Sequence, residues 1–137
     1  MPNPFRTHVA DLVDALEGAD LVVIGQVPEN ATPPFVYFLE DDPWITPGST
    51  FGSWRLSGQI VCVAEAGSNE YQVDQLADLV AAVLTTLPNT PFVATPDGVS
   101  TPAQVTQNDQ ACLGCTVNVR AHVTRAELTD YAAPAAP

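Results

Sequence analysis

Apolar positions recur along this chain with two different periods. Near the start, Phe5, Val9, Leu12, Val13 and Leu16 fall on one face at helical spacing, while Asp11, Asp14 and Glu17 point the other way. Asn3 suits the N-cap and Pro4 the first helical position, where its missing N–H costs nothing; Gly18 is placed to end the helix. A second helical stripe joins Val73, Leu76, Ala77, Val80, Val83, Leu84 and Leu87. Asp74 and Asp78 lie outside it, Asn69 and Gln72 form a capping-box-like start, and Pro88 with Asn89 stops it. Burying its large aliphatic side chains is worth roughly 1.5–3 kcal/mol each before entropy is subtracted, which makes this helix the expected keel of the fold.

Elsewhere the period is two. Residues 20–27 (DLVVIGQV) form a short apolar run, read as extended, and PENATPP interrupts it. Positions 35–39 are aromatic and β-branched, hence a strand. After a long gap, Trp54, Leu56, Ile60, Cys62 and Ala64 alternate with Arg55, Ser57, Gln59, Val61 and Val63. That is a sheet strand with one better-buried face, and Gly58 is expected to mark a bulge in it. Residues 92–95 make a short strand, PDGVSTP a turn, 103–106 another extended piece and QND a hairpin turn. Residues 111–124 make a long last strand, in which Val117, Val119, Ala121 and Val123 alternate with polar neighbours. The expected architecture is α+β: a mainly antiparallel sheet with two amphipathic helices packed on one face, in the order α-β-β-α-β-β. A single domain covers residues 1–125, and residues 126–137, ending in YAAPAAP, are expected to be a flexible Ala/Pro-rich tail.

The gap between the two best strands is the most unusual stretch. Residues 40–53 read EDDPWITPGSTFGS, far longer than an ordinary hairpin connection. Three carboxylates, Glu40, Asp41 and Asp42, precede Trp44, Ile45 and Phe51, and Trp54 follows at the exit. An indole beside charges on an irregular segment suggests an arm reaching for a partner.

Composition sharpens this. The chain has 137 residues, the size of one domain, and 46% hydrophobic residues, enough for one core. No apolar run is long enough to span a bilayer, and the first residues lack the basic-then-apolar pattern of a secretory signal. Sixteen acids face four bases, all arginine, for a net charge of -12. Such a surface repels phosphate and stays soluble, and would suit a passage that DNA must traverse without sticking. Three cysteines without a signal fit a reducing compartment.

Candidate chemistry is sparse. Cys112 and Cys115 have redox-motif spacing but sit in a predicted strand, which directs them to opposite faces, and no second pair completes a zinc site. His8 and His122 lack ligand partners at motif spacing, and the three acids of residues 40–42 lack the pattern of a calcium loop. There is no nucleophile elbow, phosphate-binding loop or dinucleotide fingerprint. No metal, cofactor or catalytic residue is therefore assigned.

The order of features has a parallel. An amphipathic helix ending in LEG leads to TPPFVYFLEDDPWI, a long loop, the strand WRLSGQIVCVAEA, the helix NEYQVDQLADLVAAVLTTL and a terminal β region. From residue 5 to residue 125 this resembles the tail terminator (head-to-tail connector) proteins of long-tailed bacteriophages. The resemblance implies a homo-hexameric ring that caps the tail tube, stops its polymerisation and joins tail to head, with DNA passing through the lumen. It implies contacts with the major tail tube protein and a head–tail stopper or connector, no membrane, and a place in the virion after assembly in the host cytoplasm. Within that frame Trp44, Ile45, Phe51, Trp54 and Tyr131 are expected at interfaces. Glu40, Asp41, Asp42, Asp97 and Asp109 are expected on the lumen or another acidic surface. The alternatives are a head-completion or adaptor protein of the phage neck, and a small α+β ligand-binding domain.

Overall fold

The computed structural model describes residues 3–24, 32–107 and 110–132. Helix α1 (Pro4–Gly18) starts as its residues dictate: Asn3 Oδ1 accepts a hydrogen bond from Phe5 N at 2.9 Å, and Pro4 opens the first turn. Its end differs from expectation. Gly18 is still helical, and Asp20 takes the left-handed turn (φ 63°) that lets Leu21 N reach the carbonyl of Leu16.

Strands β1 (Val23–Ile24), β2 (Phe35–Pro47) and β3 (Trp54–Val63) precede helix α2 (Asn69–Thr86). Strands β4 (Phe92–Val99), β5 (Ala103–Gln107) and β6 (Gln110–Val123) follow, and helix α3 (Arg125–Ala132) comes last. The six strands form one sheet with the path β1-β2-β3-β6-β4, and β5 pairs with the first half of β6. The pairing of β1 with β2 is parallel, and every other pairing is antiparallel.

The expected architecture is thus corrected in two respects: the sheet is mixed, and there are three helices, in the order α-β-β-β-α-β-β-β-α. The parallel pair arises because the chain that leaves α1 runs alongside β2, so Val23 meets Val36 and Ile24 meets Tyr37. The last three residues of the run 20–27 lie outside the described residues. The third helix starts at Arg125 and occupies the first part of the segment 126–137 read as a loose tail. Thr124 and Glu127 form a reciprocal cap there: Glu127 N donates to Thr124 Oγ1 at 3.1 Å, and Thr124 N donates to Glu127 Oε1 at 3.4 Å.

Helices α1 and α2 contribute to the core on one face of the sheet. Leu12 and Leu16 of α1 and Leu76 and Val83 of α2 are buried with Val36, Leu56, Ile60, Val117, Val119 and Phe92. The apolar stripe of α2 is wider than the sheet covers, since Val73 (44% exposed), Ala77 and Leu84 face outward. Its cap also differs: Ser68 Oγ accepts from Tyr71 N, which frees Gln72 for another task. The buried amide of Gln72 accepts from Leu113 N at 2.7 Å and donates to Gly67 O at 2.9 Å, tying α2 to β6. A smaller cluster of Phe35, Val61, Val63 and Cys112, with Tyr37 and Val105 beside it, occupies the other face.

Gly58 does not bulge β3, which keeps continuous register with β6 through it. A Cβ there would collide with the ring of Phe38, which packs edge-on to Phe92 with centroids 5.6 Å apart. The irregularity falls instead on β2. Glu40 pairs with Gly58 and Ile45 with Leu56, so residues 41–44 stand opposite Ser57 alone.

Candidate functional site

That four-residue bulge builds the most distinctive surface of the molecule. The stretch 40–53 is not one irregular arm. Its first part belongs to strand β2, and only residues 48–53 connect the strands. This connection is compact: Gly48 N donates to Ser53 O at 2.9 Å, and the buried Ser53 hydroxyl donates to Thr50 O at 2.6 Å. Gly52 adopts φ 78°, and a Cβ on it would come within 2.8 Å of the Arg125 side chain.

The bulge arises because the segment DDPW cannot continue the ladder. Proline has no N–H to donate, and two neighbouring carboxylates favour water. Asp41 Oδ1 instead accepts from Asp42 N at 3.1 Å, while Asp42 and Trp44 remain exposed. When pairing resumes at Ile45, Trp44 and Ile45 have been brought up to the first turns of α1. The stripe of α1 supplies the opposite wall. Leu12 and Leu16 are wholly buried, but Val9 and Phe5, one and two turns earlier, are only partly covered. An open groove of about 610 Å³ results, lined by Phe5, Arg6, Val9, Glu40, Trp44 and Ile45. Its base is apolar, and a guanidinium and a carboxylate stand on its rim. Trp44 is 45% exposed, a large apolar area that the core does not use.

Of the residues singled out in the sequence, Glu40, Trp44 and Ile45 meet in this groove, and Asp41 and Asp42 lie on the adjoining bulge. The others lie elsewhere. Phe51 is 89% exposed at the hairpin tip, beneath Arg125, whose Cζ is 5.5 Å from the ring centroid. Trp54 pairs with Pro47 and Val123 at the start of β3. Tyr131 projects from α3, and Asp97 sits in β4. Asp109 lies outside the described residues. Phe5, Arg6 and Val9 were missed as site residues. Phe5 and Val9 were visible as the first members of the α1 stripe, whereas nothing in the pattern marked Arg6.

A second uncommon surface lies on the sheet face opposite α1 and α2. Arg55 of β3 pairs in register with His122 of β6, and Arg120 lies two positions before it. With Ser49, Pro91 and Val93 they line a shallow depression of about 260 Å³. Two of the chain's four cationic side chains meet there. Among the described residues no carboxylate lies within 4 Å of either guanidinium, and the one carboxylate contact of this kind is His8 Nε2 to Glu127 Oε2 at 3.1 Å. That contact joins α1 to α3, but it is out of line for a hydrogen bond, so both ring nitrogens of His8 remain without an aligned partner.

The cysteines have structural places. Cys62 and Cys115 are directly opposed in the ladder and buried in the core, whereas Cys112 belongs to the cluster on the other face. Donating a hydrogen bond to Cys115, together with burial, pushes the Cys62 thiol up, while accepting that bond lowers Cys115. Among the described residues no three metal-ligating side chains converge, and no helix is long and apolar enough to cross a membrane. Neither a family model nor a curated protein matches the chain.

Proposed function

We propose that this chain is a virion structural protein. Copies of it form a ring, six-membered by the resemblance, that caps the phage tail tube, stops tube polymerisation and joins the tail to the head connector. DNA passes through an acidic lumen without sequence-specific contact, and no reaction is catalysed. The neighbours are the major tail tube protein on one side and a head–tail stopper or connector on the other, in a virion neck assembled in the host cytoplasm.

One observation carries this reading: Trp44, half-exposed, stands on a sheet-edge bulge beside an apolar groove that the core leaves uncovered. Buried aromatic anchors dominate many protein interfaces, and an open apolar surface of this kind gains from being covered. The net charge of -12 fits a channel wall and makes assembly depend on short-range contacts strong enough to outweigh repulsion. The resemblance read in the sequence, rather than the groove, suggests the identity of the assembly.

Negative-stain images of the purified protein, alone and with tail tubes, test the reading; annular particles or capped tubes are expected. Deletion of the gene in the phage should give overlong or unjoined tails. Normal-length tails beside unplugged heads would instead make it a head-completion or adaptor protein.

The groove also favours one second reading, because about 610 Å³ lies within the range of small-molecule sites. A ligand-binding domain of this kind would stay monomeric, and its Trp44 fluorescence would change on titration with small apolar acids or amines.

A further inference from the structure

The two lateral edges of the sheet carry opposite chemistry. Beyond Tyr37, the outer side of β2 has no strand partner among the described residues, and this edge bears Glu40, Asp41, Asp42 and Trp44. At the other end of the path, β4 is the edge. Beside its first residues stand Arg55, Arg120 and His122 on one face of the sheet, and on the other an apolar depression of about 320 Å³ lined by Leu84, Pro88, Phe92 and Val93. Val93, which pairs with Arg120, is 55% exposed between the two. Arg6 shares the groove with Glu40, and Asp97 lies further along β4, but acids and an indole predominate at the first bulge and arginines with aliphatic side chains predominate around Val93.

We infer that the β4 edge, through Arg55, Arg120 and Val93, is the docking surface for the Glu40–Asp42–Trp44 bulge of a second copy of this chain. Charge decides the partner and the geometry. In a protein with sixteen acids and four bases, two guanidiniums without a carboxylate partner on one face are a specific attraction for an acidic surface. A two-fold contact made through either edge alone would bring two basic surfaces or two acidic surfaces together. Joining the two different edges sets opposite charges together and covers Trp44 and Val93 at the same time. Such a contact is head-to-tail, and a head-to-tail contact closes into a ring when its rotation allows. The inference deepens the ring reading and rests on it for the closure, but the contact itself can be tested separately.

The test is a charge exchange read by native mass spectrometry and sedimentation. One variant carries Arg55→Glu and Arg120→Glu, and the other carries Glu40→Lys and Asp42→Lys. Each should self-associate roughly 100-fold more weakly than the native chain, because like charges then meet at every contact. Mixed in equal amounts they should assemble again, since every contact in an alternating array is once more complementary. Urea unfolding of each variant checks the fold, with Arg55→Gln and Arg120→Gln as the milder pair if the reversals unfold.

A native chain that stays monomeric at every concentration overturns the inference, as does a mixture that stays monomeric while both variants are folded. Annular particles that persist in both variants alone overturn the edge contact and leave the ring reading standing. Restored complexes that never close leave the contact standing and remove the ring. Short duplex DNA that binds the native chain, is lost with the arginine variant and displaces no protein contact would reassign the basic face to nucleic acid and overturn the inference.

Discussion

Strand β2, past its short pairing with β1, and the edge strand β4 carry bulges of the same size with different consequences. In each, four residues stand opposite one: residues 41–44 opposite Ser57, and residues 95–98 opposite Asn118. Each holds a proline and an aspartate, DDPW in the first and TPDG in the second. The β4 bulge closes on itself. Gly98 takes φ 76°, its carbonyl lies 3.4 Å from Asn118 Nδ2, and Thr95 Oγ1 and Asp97 Oδ2 are 3.5 Å apart. Nothing lies within 4 Å of the place where a Cβ on Gly98 would be. The β2 bulge instead ends in an indole and backs onto a helix whose apolar stripe outruns the core. A bulge alone yields an exposed turn, whereas a bulge with an aromatic side chain over a half-covered helix yields a surface for a partner.

The difference can be broken at several points. The largest effect is expected at Gly58, which underlies the β2 bulge. Gly58→Ala drives a methyl group into the Phe38 ring and should destabilise the fold by about 2–3 kcal/mol in urea unfolding. Gly98→Ala meets no atoms but must hold a left-handed backbone, at about 1 kcal/mol. Equal losses at the two glycines would show that the bulges are supported alike.

Trp44→Ala comes next. It should weaken self-association by about 2 kcal/mol and change unfolding by about 1 kcal/mol or less. Unchanged assembly with an intact fold would remove the β2 bulge as an anchor. Glu127→Ala removes the reciprocal cap of α3 and its contact with α1, the wall behind the groove. It should cost about 1 kcal/mol in thermal unfolding, and a loss near zero would mean that α1 needs no support from α3. The smallest effect is expected for Asp97→Ala, within about 0.5 kcal/mol for stability, with assembly unchanged. A loss of assembly there would make the β4 bulge a contact too.

Much of this was legible in residues whose neighbours are close in sequence. Asn3 and Pro4 start α1, the alternation around Leu56 and Ile60 gives β3, and Val117 to Val123 give the end of β6. The misreadings have particular causes. Residues 41–44 resemble a loop because an acid pair and a proline cannot pair with a strand, yet the strand resumes at Ile45. Gly58 resembles a defect in its own strand, but it makes room for a ring from the next one. The T-x-x-E cap of α3 was present at 124–127 and was masked by the alanine and proline that follow. Asn69 was read as a helix cap one residue too late, so the long-range role of Gln72 went unseen.

The order of residues by itself determined the two amphipathic helices, most of the strands, the acidic surface and the exceptional character of residues 40–53, because each depends on local periodicity, composition or steric preference. Tertiary structure alone decided that β1 runs parallel to β2, that Phe5 and Val9 meet Trp44, and that Arg55 and Arg120 share one face. Those pairings join positions far apart in the chain, and they are selected by how much apolar surface the assembled sheet and helices can cover.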